Sequence, residues 1–330
     1  CRGLLQGKVG GAASAVLPCG RFRQGGRQAA RLLSFFCGAN TPDGLLVKLY
    51  ALGAFSGIYW WASRRGRIGP ALFWASAFVF ASSLLPLMLI GAVWYQAQLL
   101  AFLCTVLAVL LAERKRPTPS LILYALAVGC RPFNAVAGLA VAALLWHRRV
   151  PWKKWIPGVC AGLCIGLCYG LYNLARFGSF FEFGHNYLPE FTRSEHGQFS
   201  LAYFWDNAKL VFTGMPLENG QFVQFGFNLF LANPIFLLLA VWVAVDIVRR
   251  RIRPAQVAAL VALAAQLFLL MLHKSFGGFQ FGLRYTADLI PCALAYFVLS
   301  GRHRRVRWGE AALMAAALVF FVIGALSVHI

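Results

Sequence analysis

The topology of this chain depends on residues 119–146, which read PSLILYALAVGCRPFNAVAGLAVAALLW. As one straight helix the stretch is long enough to span a bilayer, since a helix rises about 1.5 Å per residue. Its midpoint, however, holds Arg131 and Pro132. Proline breaks a helix, and arginine is costly at a lipid-facing centre. Two limbs of about 12 residues, each rising roughly 18 Å, would instead form a re-entrant helical hairpin with a polar apex at these two residues.

The distribution of basic residues distinguishes the two topologies. Five clusters hold 18 of the 31 Lys and Arg residues, at 64–67, 114–116, 148–154, 249–253 and 302–307. The positive-inside rule places such clusters in the cytosol. A single crossing by 119–146 would leave 12 of these 18 residues outside, whereas a hairpin keeps all 18 inside. We therefore expect the hairpin.

Composition places the whole chain in the membrane class. Of its 330 residues 60% are hydrophobic and 12% are charged, and the mean hydropathy is +0.68. The net charge of +21 lies mainly in the clusters between apolar runs, which indicates contact with membrane lipids and no nucleic-acid partner. The sequence predicts an all-α, multi-pass transmembrane helical bundle in the cell membrane, with about eight full spans besides the hairpin. The predicted spans are 44–63, 69–90, 96–112, 156–175, 227–248, 256–272, 286–300 and 309–328.

The N-terminal segment, residues 1–43, differs from the transmembrane domain that we place at 44–330. Its first 40 residues carry six basic residues and no acidic one, and they begin with Cys. We expect this start to be truncated or misread. The hairpin topology then leaves two polar external loops, at about 176–226 and 273–285. The first of them holds three basic and five acidic residues, a net charge of −2.

The second external loop contains the strongest candidate for binding a phosphate. Arg284 follows Gly-Phe-Gln-Phe-Gly, and glycines let a backbone approach a ligand closely. A guanidinium group suits phosphate by bidentate hydrogen bonding, and Lys274 could add a point charge. Two alternatives stay open: Arg284 pairs with Asp288 at spacing i, i+4 as a structural element, and Lys274 extends to the membrane interface.

The first external loop alternates aromatic residues with Arg176, Glu182 and His185. Aromatic faces beside hydrogen-bonding groups suit a sugar ring, which has apolar CH faces and polar edges. The alternative is an aromatic belt at the membrane interface with a few solvated charges. His185, His196 and the glutamates of this loop are also candidate ligands of a divalent cation, although no ligand spacing is diagnostic of a metal site.

Four short motifs together resemble a known family. They are WYxAQ at 94–98, CRP at 130–132, YNxxRFGSxxExG at 172–184 and QFGxRYxxDxxP at 280–291. In order and spacing they resemble bacterial GT-C-type membrane glycosyltransferases, distant relatives of the protein mannosyltransferases and the aminoarabinose lipid A transferases. The resemblance covers about residues 41–330. It implies an enzyme that moves a sugar from a polyprenyl-phosphate donor to a lipid or glycan acceptor on the outer side of the membrane.

The resemblance also implies roles for individual residues. Arg284 and Lys274 would face the donor phosphate, and Arg131 with Pro132 would form a structural apex. The remaining residues implied in substrate binding are Arg176, Glu182, His185, Tyr285 and Asp288.

One part of the family pattern has no counterpart in this chain. The family's first span and first external loop hold its catalytic carboxylate, and here Asp43 is the only acidic residue before Glu113. Asp43 and Glu182 are the weak substitutes, so the chain as given is either an enzyme that uses one of them or an inactive fragment. Two other functions stay open: a transporter or lipid flippase, whose mark would be inverted repeats and charges near the midplane, and a non-catalytic membrane scaffold.

Overall fold

The computed structural model describes residues 42–89, 91–184, 187–278 and 280–329. The predicted N-terminal segment therefore lies outside the described residues except for Pro42 and Asp43, which begin the first helix. The candidate ligand His185 also lies outside them. The described residues form one compact unit.

Most of the described residues are helical and very few lie in strands, which confirms the all-α prediction. The α-helices are α1 (Pro42–Ser63), α2 (Ile68–Val79), α3 (Leu84–Leu87), α4 (Val93–Glu113), α5 (Pro117–Cys130), α6 (Gly138–His147), α7 (Ile156–Phe177), α8 (Pro189–Thr192), α9 (Phe204–Thr213), α10 (Leu229–Ala232), α11 (Ile235–Val248), α12 (Pro254–Met271), α13 (Ile290–Ser300) and α14 (Trp308–His329). Short 3-10 helices lie at Pro132–Ala137, Trp152–Lys154, Leu201–Tyr203, Arg284–Leu289 and Arg302–Arg304. Two two-residue strands, β1 (Leu217–Glu218) and β2 (Gln221–Phe222), form an antiparallel hairpin that the sequence did not predict.

Five helices in the described ranges are long and apolar enough to cross a membrane: α1, α4, α7 with the turn before it, α12 and α14. These match five of the eight predicted crossings. The other three predicted spans are interrupted, so the predicted count of eight is not confirmed. The span at 69–90 breaks between α2 and α3, the span at 227–248 breaks between α10 and α11, and the span at 286–300 begins with a 3-10 helix.

One buried hydrogen-bond network joins the three interruptions. The Asn233 side chain accepts a hydrogen bond from the Ser83 hydroxyl at 2.9 Å and donates one to the Thr286 hydroxyl at 2.7 Å. The backbone N–H of Ser83 donates to the carbonyl of Ala232 at 2.9 Å. A helix can break inside an apolar bundle when neighbouring groups satisfy its freed backbone atoms. Each break therefore depends on the other two, which hydropathy along the chain does not reveal.

Residues 117–147 return to the end of the bundle at which they start, as the hairpin prediction requires. Arg148, just after α6, forms an ion pair with Glu113, the last residue of α4. Pro117 follows Glu113 by only four residues, so both limbs meet at this position. At the turn, Arg131 has extended backbone dihedrals (φ −147°, ψ 106°), as expected for a residue before proline.

Helix α13 lies at the centre of the fold, and every residue from Ile290 to Leu299 is buried. The Phe297 ring contacts Trp74 and Phe78 with centroid distances of 4.9 and 5.1 Å. A helix that is apolar on all sides needs neighbours on all sides. The 3-10 helix that holds Arg284 and Asp288 leads directly into α13. The central position of α13 therefore also determines where these two residues lie.

The two predicted external loops are paired with each other at one end of the bundle. Isolated β-bridges join Phe199 to His273 and Phe225 to Gln280. The backbone N–H of Lys274 donates to the carbonyl of Gln198 at 2.9 Å. The loops therefore form one layer over the helix ends, and they lie on the same side of the bundle.

At the other end of the bundle, three helices end with a basic residue in left-handed backbone conformation. Lys115, Arg149 and Arg250 have φ values of 62°, 54° and 50°. In each turn the next residue donates a backbone hydrogen bond to the carbonyl five residues back, as Arg116 does to Leu111 at 2.9 Å. Glycine usually occupies this position, and a side chain there costs roughly 1–2 kcal/mol. These three helix ends therefore carry a charged side chain where the backbone conformation favours glycine, in keeping with a topological role.

His303 provides a pH-dependent prediction at this end. Its side chain is 5% exposed and packs edge-on against Trp61 at 4.7 Å, and neither ring nitrogen has a hydrogen-bond partner among the described residues. Burial lowers the pKa of His303 from 6.5 to about 4, and Arg304 and Arg65 act in the same direction. Between pH 6.5 and 4, His303 therefore binds a proton in the unfolded chain but stays neutral in the folded chain.

We expect the free energy of unfolding to fall by about 3 kcal/mol as the pH is lowered from 6.5 to 4. The contribution of neutral His303 to the free energy of unfolding is fully present above pH 6.5. The H303F variant should lack this part of the slope, and H196F, which changes an exposed histidine, should keep it. Unfolding in detergent micelles, followed by circular dichroism at several pH values, measures the slope. Equal slopes in wild type and H303F would contradict the assignment.

Candidate functional site

The candidate site lies where two helices are interrupted at the loop end of the bundle. Helix α5 ends at Cys130, and Arg131 and Pro132 then turn the chain into a 3-10 helix. Residues Arg284–Leu289 form a second 3-10 helix before α13. Both interruptions contact α4. The polar groups of the site are therefore held by three rigid elements instead of by loops alone.

A buried carboxylate joins these three elements. Asp288 is 1% exposed, and its Oδ2 accepts a hydrogen bond from Arg131 Nε at 2.8 Å. Its Oδ1 accepts one from Gln98 Nε2 at 3.1 Å, and the same amide nitrogen donates to the Arg284 carbonyl at 2.7 Å. A buried charge is tolerated when it is both paired and hydrogen-bonded. Both oxygens of the Asp288 carboxylate therefore accept hydrogen bonds that hold the fold together, and the carboxylate is not available as a catalytic base.

The predicted alternative pairing of Arg284 with Asp288 is wrong. Asp288 pairs with Arg131, which is 157 positions away in sequence, and Arg284 forms no ion pair among the described residues. The reason is the local helix type. An i, i+4 pair needs 3.6 residues per turn, whereas a 3-10 helix has three.

Two guanidinium groups lie over one aromatic ring. Arg131 Cζ is 4.7 Å and Arg284 Cζ 4.8 Å from the centroid of Tyr285, and Arg284 also lies 5.1 Å from the centroid of Tyr95. Cation–π contacts hold a guanidinium in place without neutralising its charge. The site thus concentrates positive charge around Tyr285.

Among the described residues, no carboxylate forms an ion pair with Arg284. Its side chain is buried, and neither Nε nor Nη1 has a hydrogen-bond partner within the described ranges. Burial lowers the pKa of the Arg284 guanidinium, and the nearby Arg131 adds to that shift. Buried polar atoms are normally hydrogen-bonded, and a buried guanidinium is stabilised by an anion. The arrangement therefore favours an anionic ligand at Arg284.

Gly277 sets the position of Arg284. It has φ +100°, a conformation that favours glycine, and a Cβ atom there would lie 2.2 Å from Arg284 Nε. The adjacent Gly278 has no atom within 4 Å of the corresponding position. The loop backbone can therefore approach the guanidinium only because residue 277 has no side chain.

A cavity of about 680 Å³ extends from this cluster towards the first external loop. Its lining combines aromatic rings with a few polar groups, namely Trp94, Phe133, Phe181, Phe183, Phe199 and Tyr285 with Arg131, Glu182, Gln198 and His273. Pockets of this size and composition hold small organic ligands. Glu182 Oε1 accepts a hydrogen bond from the Gly184 N–H at 2.7 Å, which fixes one side of its carboxylate.

His273 and Gln198 are two cavity residues that sequence reasoning missed. The Gln198 amide nitrogen lies 3.1 Å from His273 Nε2, and His273 Nδ1 lies 2.5 Å from the Ser275 carbonyl oxygen. The His273 ring also contacts Phe133 and Phe199. A histidine directly after an apolar helix, beside Lys274, was the available signal. Its partner could not be found, because the bridge between the two loops is not a local feature.

A second, apolar groove of about 390 Å³ adjoins the cavity. It runs between α5 and α7, and Gly158, Gly162, Gly166 and Gly170 recur along it every four residues. The groove and the cavity share Pro132, Phe181 and Phe183. The aromatic cavity, with its few polar groups, therefore continues into the apolar groove. Together they match an amphiphilic ligand.

The structure brings together most but not all of the predicted site residues. Arg131, Pro132, Glu182 and Tyr285 line the cavity. Arg284 and Asp288 do not line it, but Arg284 lies over the Tyr285 ring and Asp288 pairs with Arg131. Lys274 is adjacent in sequence to the cavity residue His273.

Two predicted residues lie elsewhere. Arg176 is exposed at the end of α7, where it lies over the rings of Tyr172 and Phe177. Asp43 is exposed in the first turn of α1 and does not line the cavity. Of the two weak carboxylate candidates, only Glu182 is in the cavity.

Within the described residues there is no group of three or more His, Cys, Asp and Glu side chains that could hold a metal ion. His185, one of the histidines suggested as ligands, lies outside the described residues, so the divalent cation stays a prediction. Comparisons of the chain with protein-family models, curated proteins and solved structures found no match.

Proposed function

We propose that this chain is a membrane glycosyltransferase that moves a sugar from a polyprenyl-phosphate donor to a lipid or glycan acceptor on the outer face of the cell membrane. The observation that carries the proposal is the buried, carboxylate-free guanidinium of Arg284 beside an aromatic cavity. A phosphate group meets the need of that cation for an anionic partner. The resemblance of the four short motifs to GT-C-type enzymes supports the same substrate class.

The two neighbouring cavities support a lipid-linked donor. The sugar would occupy the aromatic cavity, where Phe133, Phe199 and Tyr285 offer ring faces and Glu182 and Gln198 offer hydrogen bonds. The polyprenyl chain would lie in the apolar groove between α5 and α7. The phosphate would lie at their junction beside Arg131, with Arg284 supplying further positive charge from across the Tyr285 ring. This order matches the order of groups in a polyprenyl-phosphate sugar.

The proposed reaction is an inverting transfer. The acceptor hydroxyl oxygen bonds to the anomeric carbon, the bond from that carbon to the phosphate oxygen breaks, and the electron pair stays on the phosphate. The hydroxyl proton passes to the Glu182 carboxylate, which acts as the general base. Arg284 stabilises the negative charge that develops on the leaving phosphate.

Replacing Arg284 by Ala tests the proposal. In membranes that contain the full chain, we expect transfer of radiolabelled sugar from a polyprenyl-phosphate donor to fall roughly 100- to 1,000-fold, the usual effect of removing one transition-state donor. R176A, which changes an exposed arginine outside the cavity, is the matched control and should retain activity. Unchanged transfer in R284A would remove Arg284 from the mechanism.

A lipid transporter is the second candidate. The aromatic cavity with its polar groups, continued by the apolar groove, also suits a lipid headgroup and its chain. The two functions differ in whether a glycosidic bond is made. Product analysis of the same membranes by mass spectrometry separates them. Movement of an intact lipid-linked sugar across the bilayer without new glycoside would favour the transporter.

A further inference from the structure

A second charged cluster lies at the opposite end of the bundle from the proposed transfer site. The ends of α1, α4 and α6 meet there around Glu113, whose carboxylate is buried. It accepts hydrogen bonds from Trp61 Nε1 at 2.9 Å and Arg65 Nη2 at 2.7 Å, and it forms an ion pair with Arg148. Gln98 and Glu113 are separated by 15 positions of α4, about 22 Å along the helix axis. The two sites are therefore distinct.

The cluster surrounds a small cavity with a large excess of positive charge. The cavity measures about 290 Å³ and is lined by Arg65, Arg114, Lys115, Arg148 and Glu113. One carboxylate faces four cations, which leaves a local charge of +3. The Glu113 carboxylate already accepts hydrogen bonds from the side chains of Trp61, Arg65 and Arg148. The remaining positive charge is therefore not balanced by the residues that line the cavity.

Two guanidinium atoms in this cluster are buried without a hydrogen-bond partner. They are Arg114 Nη1 and Arg148 Nε, judged within the residues that the structure describes. Arg114 is held in place by stacking on Trp60, with its Cζ 3.9 Å from the ring centroid. Burial lowers the pKa of Arg65, with the guanidinium groups of Arg114 and Arg148 acting in the same direction, whereas Glu113 opposes them. The cations are thus fixed in position, close together and partly deprived of water.

The backbone adds to this arrangement. Lys115 lies in the left-handed turn that ends α4, with φ 62°, and its side chain is exposed at the cavity. A glycine would be favoured in that turn, yet the position carries a fourth cation. Converging guanidinium and ammonium groups at a fixed site are characteristic of phosphate recognition. Basic pockets between helix ends at the cytoplasmic surface suit the headgroups of anionic lipids in the same way.

We propose that the cavity formed by Arg65, Arg114, Lys115 and Arg148 around Glu113 binds a phosphate group. Its two sources would be the headgroup of an anionic lipid in the cytosolic leaflet and a soluble phosphate or pyrophosphate. The cavity is too small for an extended polyanion, which excludes a nucleic acid inside it. Glu113 orients Arg65 and Arg148, and Arg114 and Lys115 supply charge that nothing else in the lining neutralises.

Ligand-dependent thermal unfolding of the full chain in neutral detergent tests the proposal. One arm adds inorganic pyrophosphate, and a second adds phosphatidylglycerol, with phosphatidylcholine and sodium chloride of equal ionic strength as references. A ligand that binds the folded state raises the unfolding temperature by mass action. R114Q removes one lining cation, and R116Q removes an exposed arginine two residues away that does not line the cavity.

We expect a rise in unfolding temperature for wild type and R116Q, and a dissociation constant at least tenfold weaker for R114Q. A response to pyrophosphate identifies a soluble ligand, and a response to phosphatidylglycerol alone identifies a lipid headgroup. If R114Q does not fold, K115Q decides, because Lys115 is exposed and its replacement leaves the Glu113 pairs intact. No response in wild type, or equal loss in the lining variant and R116Q, would overturn the proposal in favour of diffuse charge attraction. A full wild-type response in both R114Q and K115Q would also overturn it.

Discussion

Replacing Gly277 by Ala should reduce sugar transfer about 100-fold, the size of effect expected when a catalytic group is displaced by roughly 1 Å. The added methyl group would lie 2.2 Å from Arg284 Nε, and the residue would be held at φ +100°. The Arg284 guanidinium must therefore move, because the backbone on either side is held by the pairing of the two loops. Initial rates with a polyprenyl-phosphate sugar measure the effect.

Gly278→Ala is the matched control for this prediction. The same methyl group one residue later meets no atom within 4 Å, and Gly278 does not have a positive φ in the left-handed range. G278A should transfer sugar at close to the wild-type rate, and both variants should be present in the membrane at similar levels. If G277A and G278A were equally active, Gly277 would not control the position of Arg284.

The second large effect concerns the Arg131–Asp288 ion pair. Replacing Arg131 by Met should lower the free energy of unfolding by about 3–5 kcal/mol, because it leaves the Asp288 carboxylate buried without its charged partner. Denaturant unfolding in detergent micelles measures the change. R176M, which changes an exposed arginine, should stay within about 0.5 kcal/mol of wild type.

The double variant R131M/D288L separates the ion pair from simple packing. Removing both partners in favour of apolar side chains of similar shape is often nearly neutral, because no charge is left unpaired. We therefore expect the double variant to be more stable than R131M alone. A double variant less stable than R131M would mean that Asp288 stabilises the fold mainly through Gln98 and not through Arg131.

Part of the candidate site could be predicted from local sequence. Pro132 beside Arg131 indicated a turn inside an apolar segment, and the glycines of the Gly-Phe-Gln-Phe-Gly run before Arg284 indicated a close approach of the backbone to a ligand. The structure has the turn, with Arg131 extended there. The glycine that it places against Arg284 is Gly277, which precedes the Gly-Phe-Gln-Phe-Gly run, so the expected approach of that run to a ligand stays a prediction. The turn could be predicted because proline acts on the backbone within a few residues.

The span count shows where local sequence was insufficient. Hydropathy treats Ser83, Asn233 and Thr286 as tolerable polar residues within apolar runs. In the fold they bond to one another and interrupt three helices at a common level. The pairing of Asp288 has the same origin, since neighbours in sequence suggested Arg284 while packing supplied Arg131.

The sequence by itself determined the helical class, the return path of residues 117–147 and the concentration of arginine at one end of the bundle. Each of these follows from composition, charge or a backbone-breaking residue, which act over one or two helical turns. Only the tertiary structure decided which cation Asp288 neutralises, which guanidinium is buried without an ion-pair partner among the described residues, and that His273 and Gln198 meet in the cavity. Those outcomes depend on contacts between segments up to 157 positions apart, and no local pattern specifies such contacts.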